Sequence, residues 1–568
     1  AAAGNNNNED PFYPASYKEV ISVAATNIND QKWTGSTYGY QVDLSAPGQD
    51  IYATSLGNSY SSGSGTSYAA PSVGAIAALV RNQRPHLNAF QVMQQIINTT
   101  YFLDTIPQNV IYADKLGSGR LDAYRALADT MISGIDLTEM NISGAPLPGV
   151  TINLEGLLTN HLQSAVISIE IESLSEYTTV LTNSINPGIL NTSETFSIEN
   201  GLLSVFIHND VPYDEKITIK FKIDDGQDTY NRFFSFYANP SYLNLTQQNL
   251  KMTIPANGRL GFNRISPLQG DGIWLDNHDN MVWEAGLIYG NSTNEVISVF
   301  LGAPELQTLS IADTSYTEDG RLSIHAAMTD TNKLNSMQIK TMQTATVVNK
   351  PNLSSTVFVT YQFINQSNSS YDDFHAGLFF DWDLISAPNN NIYFDETNQI
   401  AYCENNLGEN LLTGVKIYNQ PFHHYAFELK EDTEGINIID GFTNEERWFA
   451  LSNERQEAGG SSGDDVAHLV GSESMVLYPE DTASITFILT AGFHLSNIIT
   501  NVNEAEIYLS GTTSITNEFT EPDLKIYPQP AHGEVMISGE RYIETIEVYH
   551  INGRLEKQVN VNNTHYLL

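Results

Sequence analysis

At 568 residues, the chain is long enough for three or four domains of roughly 150 residues each. Its 41% hydrophobic content supports packed cores, while a net charge of −40 and a pI near 4.4 exclude the basic face that nucleic-acid binding requires. The single cysteine, Cys403, rules out an intrachain disulfide, and no apolar run reaches the ~20 residues of a membrane helix.

In chain order, the first elements are α/β. Ile21 to Ala25 is a short apolar run expected as a buried strand. Gly65-Thr66-Ser67-Tyr68-Ala69-Ala70-Pro71 leads into an alanine-rich run, Val73 to Val80, that reads as a buried helix. Pro71 is expected in the first turn, where a missing N–H removes no helical hydrogen bond. A serine at such a helix start faces backbone N–H groups and the positive end of the dipole, which stabilise negative charge as it develops. Serine alone is a poor nucleophile at neutral pH and needs a base. The competing reading of a bare Gly-x-Ser is a plain Ser-capped core helix. Asn88 is placed to cap a helix on which Val92, Met93, Ile96 and Ile97 share one face. Gly117 to Gly119 breaks the chain before a last helix near Asp122–Asp129.

Other blocks surround these. Ala1-Ala2-Ala3-Gly4-Asn5 reads as a strand end breaking into a loop with an amide side chain. Tyr13-Pro14-Ala15 precedes Val20-Ile21-Ser22-Val23-Ala24-Ala25, and Asp43-Leu44-Ser45-Ala46-Pro47-Gly48 follows. Leu116-Gly117-Ser118-Gly119-Arg120-Leu121-Asp122-Ala123-Tyr124 closes the region. With the serine heptapeptide, and in this order, the blocks make residues 1–130 resemble the subtilisin-like serine peptidases (subtilases). The resemblance implies that Ser67 is the nucleophile and that the Asn5 carboxamide donates to the oxyanion. It implies that Ala3 and Gly4 line one wall of the pocket for the residue before the cleaved bond. It also implies a weak metal site, with carbonyls of Ala15, Tyr17 and Val20 and the carboxylate of Asp43 around a structural calcium or sodium ion; no cofactor is required. In subtilases the catalytic Asp and His both precede the oxyanion asparagine, which here is residue 5. Both partners are therefore expected upstream, in a catalytic domain truncated at its N-terminus, and the chain as it stands is expected to be inactive.

From residue 131 the period changes. Ile152 and Leu154, then Ile167, Ile169 and Ile171, then Ile217, Ile219, Phe221 and Ile223 alternate with other residues. Asp225-Gly226 reads as a hairpin turn into Phe233-Phe234-Ser235-Phe236-Tyr237. Residues 131–240 are expected to be an immunoglobulin-like β-sandwich of about a hundred residues, acting as a spacer or brace. Residues 241–515 read as a larger β-rich sandwich domain of unassigned role, with strands such as Val357–Phe363 and Ser484–Leu489. One helix is signalled there by a capping box, Thr443 with Glu446, before Trp448 and Phe449.

The stretch Phe379-Phe380-Asp381-Trp382-Asp383, with Asp395 further on, admits three readings. Asp381 and Asp383 face solvent while Phe380 and Trp382 pack inward; or the carboxylates bind calcium; or they serve glycoside hydrolysis. His375, His423 and His424 lack an HExxH-type arrangement and read as surface or packed histidines.

Residues 522–568 form the last unit. Ile526-Tyr527-Pro528-Gln529-Pro530-Ala531, Gly533–Ile537 and Ile546–Arg554, with its Asn552-Gly553 turn, resemble the C-terminal sorting domain of the type IX secretion system of Gram-negative bacteria, cut short before its final strands. This implies export by that machinery to the medium or the outer cell surface. The fold class expected is multidomain: an α/β subtilisin-like catalytic domain followed by all-β sandwich domains. The function expected is a secreted or cell-surface serine endopeptidase that cleaves proteins or peptides by a Ser-His-Asp mechanism. The alternative is a catalytically inactive surface adhesin or glycan-binding protein with a vestigial peptidase domain.

Overall fold

The computed structural model describes residues 1–199, 201–265, 268–302, 304–317, 320–331, 336–408, 410–429, 436–438 and 441–512, and the backbone of 524–527, 536–549 and 555–567. The chain divides into two compact units, Ala1–Pro240 with Asn517–Leu568, and Ser241–Thr516.

In the first unit, strand Val23–Thr26 pairs in parallel with Leu44–Pro47, and Ala2 bridges to Val23. Val23, Ala25, Leu44 and Ala46 are buried with Ala69, Val73 and Val80 of helix α1 (Thr66–Gln83). The short unbroken apolar runs of these strands are what a parallel pair covered by helices demands. Helix α2 (Ala89–Ile97) adds Val92, Met93, Ile96 and Ile97 to the same core, the face that the spacing predicts. Its capping box is complete: Asn88 Oδ1 accepts the Gln91 N–H at 2.9 Å, and Gln91 Oε1 accepts the Asn88 N–H at 3.0 Å. Helix α3 (Ala123–Ala128) starts at Asp122, whose Oδ1 accepts the Arg125 N–H. Pro71 departs from expectation. Because α1 begins at Thr66, the proline lies in the second turn, and the N–H it lacks would have served the Ser67 carbonyl.

Residues 135–238 form two antiparallel sheets over one core. One has the order Thr195–Ile198, Thr151–Asn160, Ser204–Ile207, Thr178–Val180, with Ile135–Ser143 also on Thr151–Asn160. The other runs Thr229–Ala238, Glu215–Asp224, Ala165–Ser173, Ser184–Leu190. The alternating residues Ile167, Ile169, Ile171, Ile217, Ile219, Phe221 and Ile223 all point inward. The hairpin turn is held by Asp225, whose Oδ1 accepts the N–H groups of Gln227 and Asp228, with Gly226 at φ 84°. The sandwich packs on the preceding residues of its unit. Asp114 accepts from Lys220 Nζ and Asn231 Nδ2, both at 2.7 Å, Arg232 donates to Gln94 and Asn98, and Tyr40 lies against Phe233.

The second unit is a β structure with one large core. Its eight-stranded sheet runs Gln307–Tyr316, Arg321–Thr329, Ile339–Val348, Thr356–Asn365, Thr482–Gly492, Leu412–Ile417, Ile400–Asn405, Asn390–Asp395. A seven-stranded sheet has Tyr371–Trp382 at its centre, between Val282–Ser292 and Val466–Ser472. Helix α4 (Asn444–Ser452) carries the predicted Thr443–Glu446 capping box. Helix α5 (Leu495–Thr512) is not signalled in the sequence reading; it buries Ile498, Val502 and Ala505 against Phe358, Leu412 and Ile488. Among the described residues no helix is long and apolar enough to cross a membrane.

Strands Leu524–Tyr527, Met536–Tyr549 and Leu555–Leu567 form a three-stranded antiparallel sheet. Pro528, Pro530, Asn552 and Gly553, which carry the sorting-domain resemblance, lie outside the described residues.

Candidate functional site

Ser67 lies in the first turn of α1 and is exposed, between buried Thr66 and half-exposed Tyr68. The helix start comes close to the loop of residues 4–5. Gly4 N–H donates to Thr66 Oγ1 at 3.2 Å, and Asn5 Oδ1 accepts both the Thr66 N–H at 3.0 Å and the Thr66 hydroxyl at 2.9 Å. Occupying the amide oxygen in this way fixes which end of Asn5 is which and leaves the Nδ2 protons to donate elsewhere. A Cβ on Gly65 would stand 3.5 Å from Asn5 Nδ2 and 3.7 Å from Ser67 N. The two donors, with Asn5 Oδ1 at 3.6 Å, thus lie within van der Waals reach of one point beside Gly65. Such a pair, at the positive end of a helix, can hold an oxyanion.

Ala3 and Gly4 are buried. Ala3 packs in a small cluster with Ala24 and Val42, and a Cβ on Gly4 would meet Thr37 Oγ1 at 2.8 Å. Within residues 1–128 the one histidine is His86. It follows the C-terminal end of α1, about 25 Å along the axis from Ser67 at 1.5 Å per residue. It is too distant to be the base.

Of the residues expected around a cation, Ala15, Tyr17 and Asp43 line one cavity of about 470 Å³, and Val20 does not. The Tyr17 carbonyl accepts the Val20 N–H at 3.0 Å, and Asp43 Oδ2 accepts the Ser22 N–H at 2.7 Å. Burial pushes the Asp43 carboxyl up to about 7, against the opposing pull of the Ser22 N–H and of Arg232. Arg232 lines the same cavity, as do Asp104, Asp114 and Asp136, so Asp43 has a positive neighbour from the sandwich as well as further carboxylates near it.

The carboxylates of the second unit are arranged differently from the solvent-facing reading. Asp381 is 5% exposed. Its strand is paired on both edges, and Phe380 and Trp382 stack 4.7 Å apart on the opposite face. Asp383 is half-buried, and Asp465, from the far side of the chain, joins them; one oxygen from each lies within 4.8 Å of the others. Burial first, then the neighbouring Asp383 and Asp465, push Asp381 up to about 8, and burial and Asp465 push Asp383 up to about 6. Asp395 is engaged in its own turn, accepting from the N–H groups of Thr397 and Asn398. Of the histidines, His375 and His424 are buried. Asp465 carried no local signal in the sequence; only strand register brings it here.

Residues 1–128 match the model of the Subtilase family. Thermitase of Thermoactinomyces vulgaris is 43% identical over 127 residues, 22% of this chain and 43% of its own length. The thermostable alkaline protease of Halalkalibacterium halodurans is 43% identical over 102 residues, covering 18% of this chain and 28% of the relative. The minor extracellular protease Epr of Bacillus subtilis is 41% identical over 97 residues, 17% of this chain and 15% of the relative. The chain thus spans less than half the length of these relatives. Among solved structures, a protease of Pseudoalteromonas arctica PAMC 21717 aligns at 27% identity with a TM-score of 0.20, over 22% of this chain and 41% of that one. Residues 1–128 are similar to subtilisin-like serine peptidases, over the segment that holds Ser67 and Asn5.

Proposed function

We propose that the protein is a serine endopeptidase of the subtilisin type. The observation that carries this is the exposed Ser67 at the start of α1, beside an Asn5 amide whose oxygen is held by Thr66. In that reaction Ser67 Oγ attacks the peptide carbonyl while a histidine takes its proton, an aspartate orients the histidine, and the Asn5 Nδ2 and Ser67 N–H groups receive the oxyanion. Residues 1–128 supply the nucleophile and the oxyanion donors but no histidine within reach. The test compares two proteins: the chain as given, and the chain extended by the coding sequence before Ala1. A serine-directed fluorophosphonate is expected to label Ser67 only in the extended protein, with Ser67→Ala abolishing both label and peptide hydrolysis. Absence of label in a folded extended protein would favour an inactive surface protein instead.

We further propose that it acts outside the cell. The name of the relative from Bacillus subtilis describes an extracellular protease, and residues 522–568 resemble a type IX sorting domain in sequence. Deleting those residues in a host with that system is expected to strand the protein in the periplasm. Normal export of the deleted protein would remove the sorting assignment.

A further inference from the structure

Strand register in the second unit places acidic residues opposite one another. Glu284 of strand Val282–Ser292 faces Asp381 of Tyr371–Trp382, and Asp381 faces Ala467 of Val466–Ser472. Asp383 and Asp465 lie just beyond the ends of the latter two strands, and one oxygen of each lies within 4.8 Å of one of Asp381. Like charges directly opposite in a sheet are destabilising. Glu284 is neutralised by Arg259, whose Nη1 lies 2.7 Å from Glu284 Oε1. Asp381 has no such cation among the described residues. Among the described residues the charges acting on Asp381 are those of Asp383, Asp465 and Glu284, all negative. Asp381 Oδ1, buried in the group, meets no hydrogen-bond donor. A buried carboxylate oxygen with no donor, beside two further carboxylates, lacks a positive partner.

We propose that Asp381, Asp383 and Asp465 form a binding site for a hard divalent cation, and that the cation is calcium. All the converging ligands are oxygen, the donor set of calcium and magnesium. Oxygens sharing one calcium at 2.3–2.6 Å sit no more than about 5 Å apart, whereas those sharing a magnesium sit within about 4.2 Å. The three aspartate oxygens lie within 4.8 Å of one another, inside calcium's span, and three protein carboxylates suit calcium, whereas magnesium is usually held by one or two and keeps several waters. The group also borders a cavity of about 480 Å³ lined by Trp283 and Leu301, which leaves room for water to complete the coordination. Asp383 is anchored there by its own backbone, its N–H donating to the Met281 carbonyl at 3.0 Å. The site is remote in sequence from the peptidase segment, and its test does not depend on activity.

The 568-residue protein, stripped with EDTA, is titrated with calcium chloride by calorimetry and melted with and without the ion, beside Asp381→Asn and Asp465→Asn. Wild type is expected to bind calcium and to melt higher in its presence. Each variant is expected to lose at least about tenfold in affinity at this site, since ligand charge sets calcium affinity. Without calcium, Asp381→Asn is expected to melt no lower than wild type, because an amide there carries no charge for the neighbouring carboxylates to repel. Magnesium is expected to bind at least about tenfold more weakly. No heat of binding at millimolar calcium overturns the site, as does binding that both variants leave unchanged. Magnesium bound as tightly as calcium overturns the choice of ion.

Discussion

Asn5 can donate in a defined direction because Thr66 occupies the other end of its amide. The proposed reaction makes two predictions at this scale, both for the extended protein. Asn5→Ala is expected to lower kcat by about 100- to 1,000-fold with little change in KM, because the donor acts on the transition state; that magnitude is borrowed from the equivalent loss in a subtilisin. Thr66→Val removes one of the two bonds to Asn5 Oδ1 and leaves the backbone N–H. It is expected to reduce kcat less than Asn5→Ala does, and to cost about 1 kcal/mol of stability, since Thr66 Oγ1 is buried between Gly4 and Asn5. Steady-state kinetics and urea unfolding measure both; a Thr66→Val enzyme as slow as Asn5→Ala would mean that the hydroxyl, not the main chain, sets the amide. Ser67 and Asn5 are singled out in the sequence because each sits in a local motif. The bond from Thr66 to Asn5 is not legible there, because it spans 61 positions.

Elements show the same division between local and long-range information. Helix α2 and the start of α4 were legible because their caps are written within four residues: Asn88 to Gln91, and Thr443 to Glu446. Helix α5 was not. Its Ile, Thr, Val and Asn residues are middling helix formers, and its burial of Ile498, Val502 and Ala505 against a distant sheet holds it in place. Pro71 was misplaced by a turn because the helix starts at Thr66, where Asn5 caps the first N–H from outside the local sequence. The sandwich strands were legible by their period, but not the surface they share with residues 1–130. That surface carries the Asp114–Lys220 pair, with side chains only 21% and 15% exposed. Asp114→Ala leaves Lys220 with Glu172 at 3.5 Å and Asn231 without its acceptor. It is expected to destabilise the first unit by about 1–3 kcal/mol, toward the lower end because the pair is not fully enclosed. Thermal unfolding and limited trypsin digestion, with faster cleavage within residues 1–128, would register it. An unchanged melting temperature would show that the contact contributes nothing to the unit's stability.

At the scale of the whole molecule, two units with separate cores should respond separately to acid. The second unit holds a chain of buried rings. Trp382 Nε1–H donates to His468 Nε2 at 2.9 Å, so the His468 proton is on Nδ1, which donates to His424 Nε2 at 3.1 Å. His424 must then carry its own proton on Nδ1, a buried atom with no partner. Both rings are neutral in this arrangement, His468 donating and His424 accepting, and neither can take a second proton without breaking it. Burial pulls His424 down to about 3 and holds His468 well below its ordinary value, the latter aided by its neighbour. A base whose folded pKa is depressed contributes stability that is present above its unfolded pKa, near 6.5, and is lost as pH falls toward the folded value. Each such histidine is expected to remove roughly 1 kcal/mol per pH unit across that window. Asp381 and Asp383, raised to about 8 and about 6, act with the opposite sign when no cation is bound, so the net slope of the unit alone is not diagnostic. The difference between wild type and His424→Leu is, because the carboxylates cancel in it. At pH 7 the variant is expected to be less stable, having left His468 Nδ1–H unpaired. Between pH 6.5 and 4.5 that deficit should shrink by roughly 1 kcal/mol per unit, since only wild type still has to keep a neutral histidine at position 424. Urea unfolding of the two proteins across this range measures it, and a deficit that stays constant with pH would mean that His424 titrates in the folded protein as it does in the unfolded one.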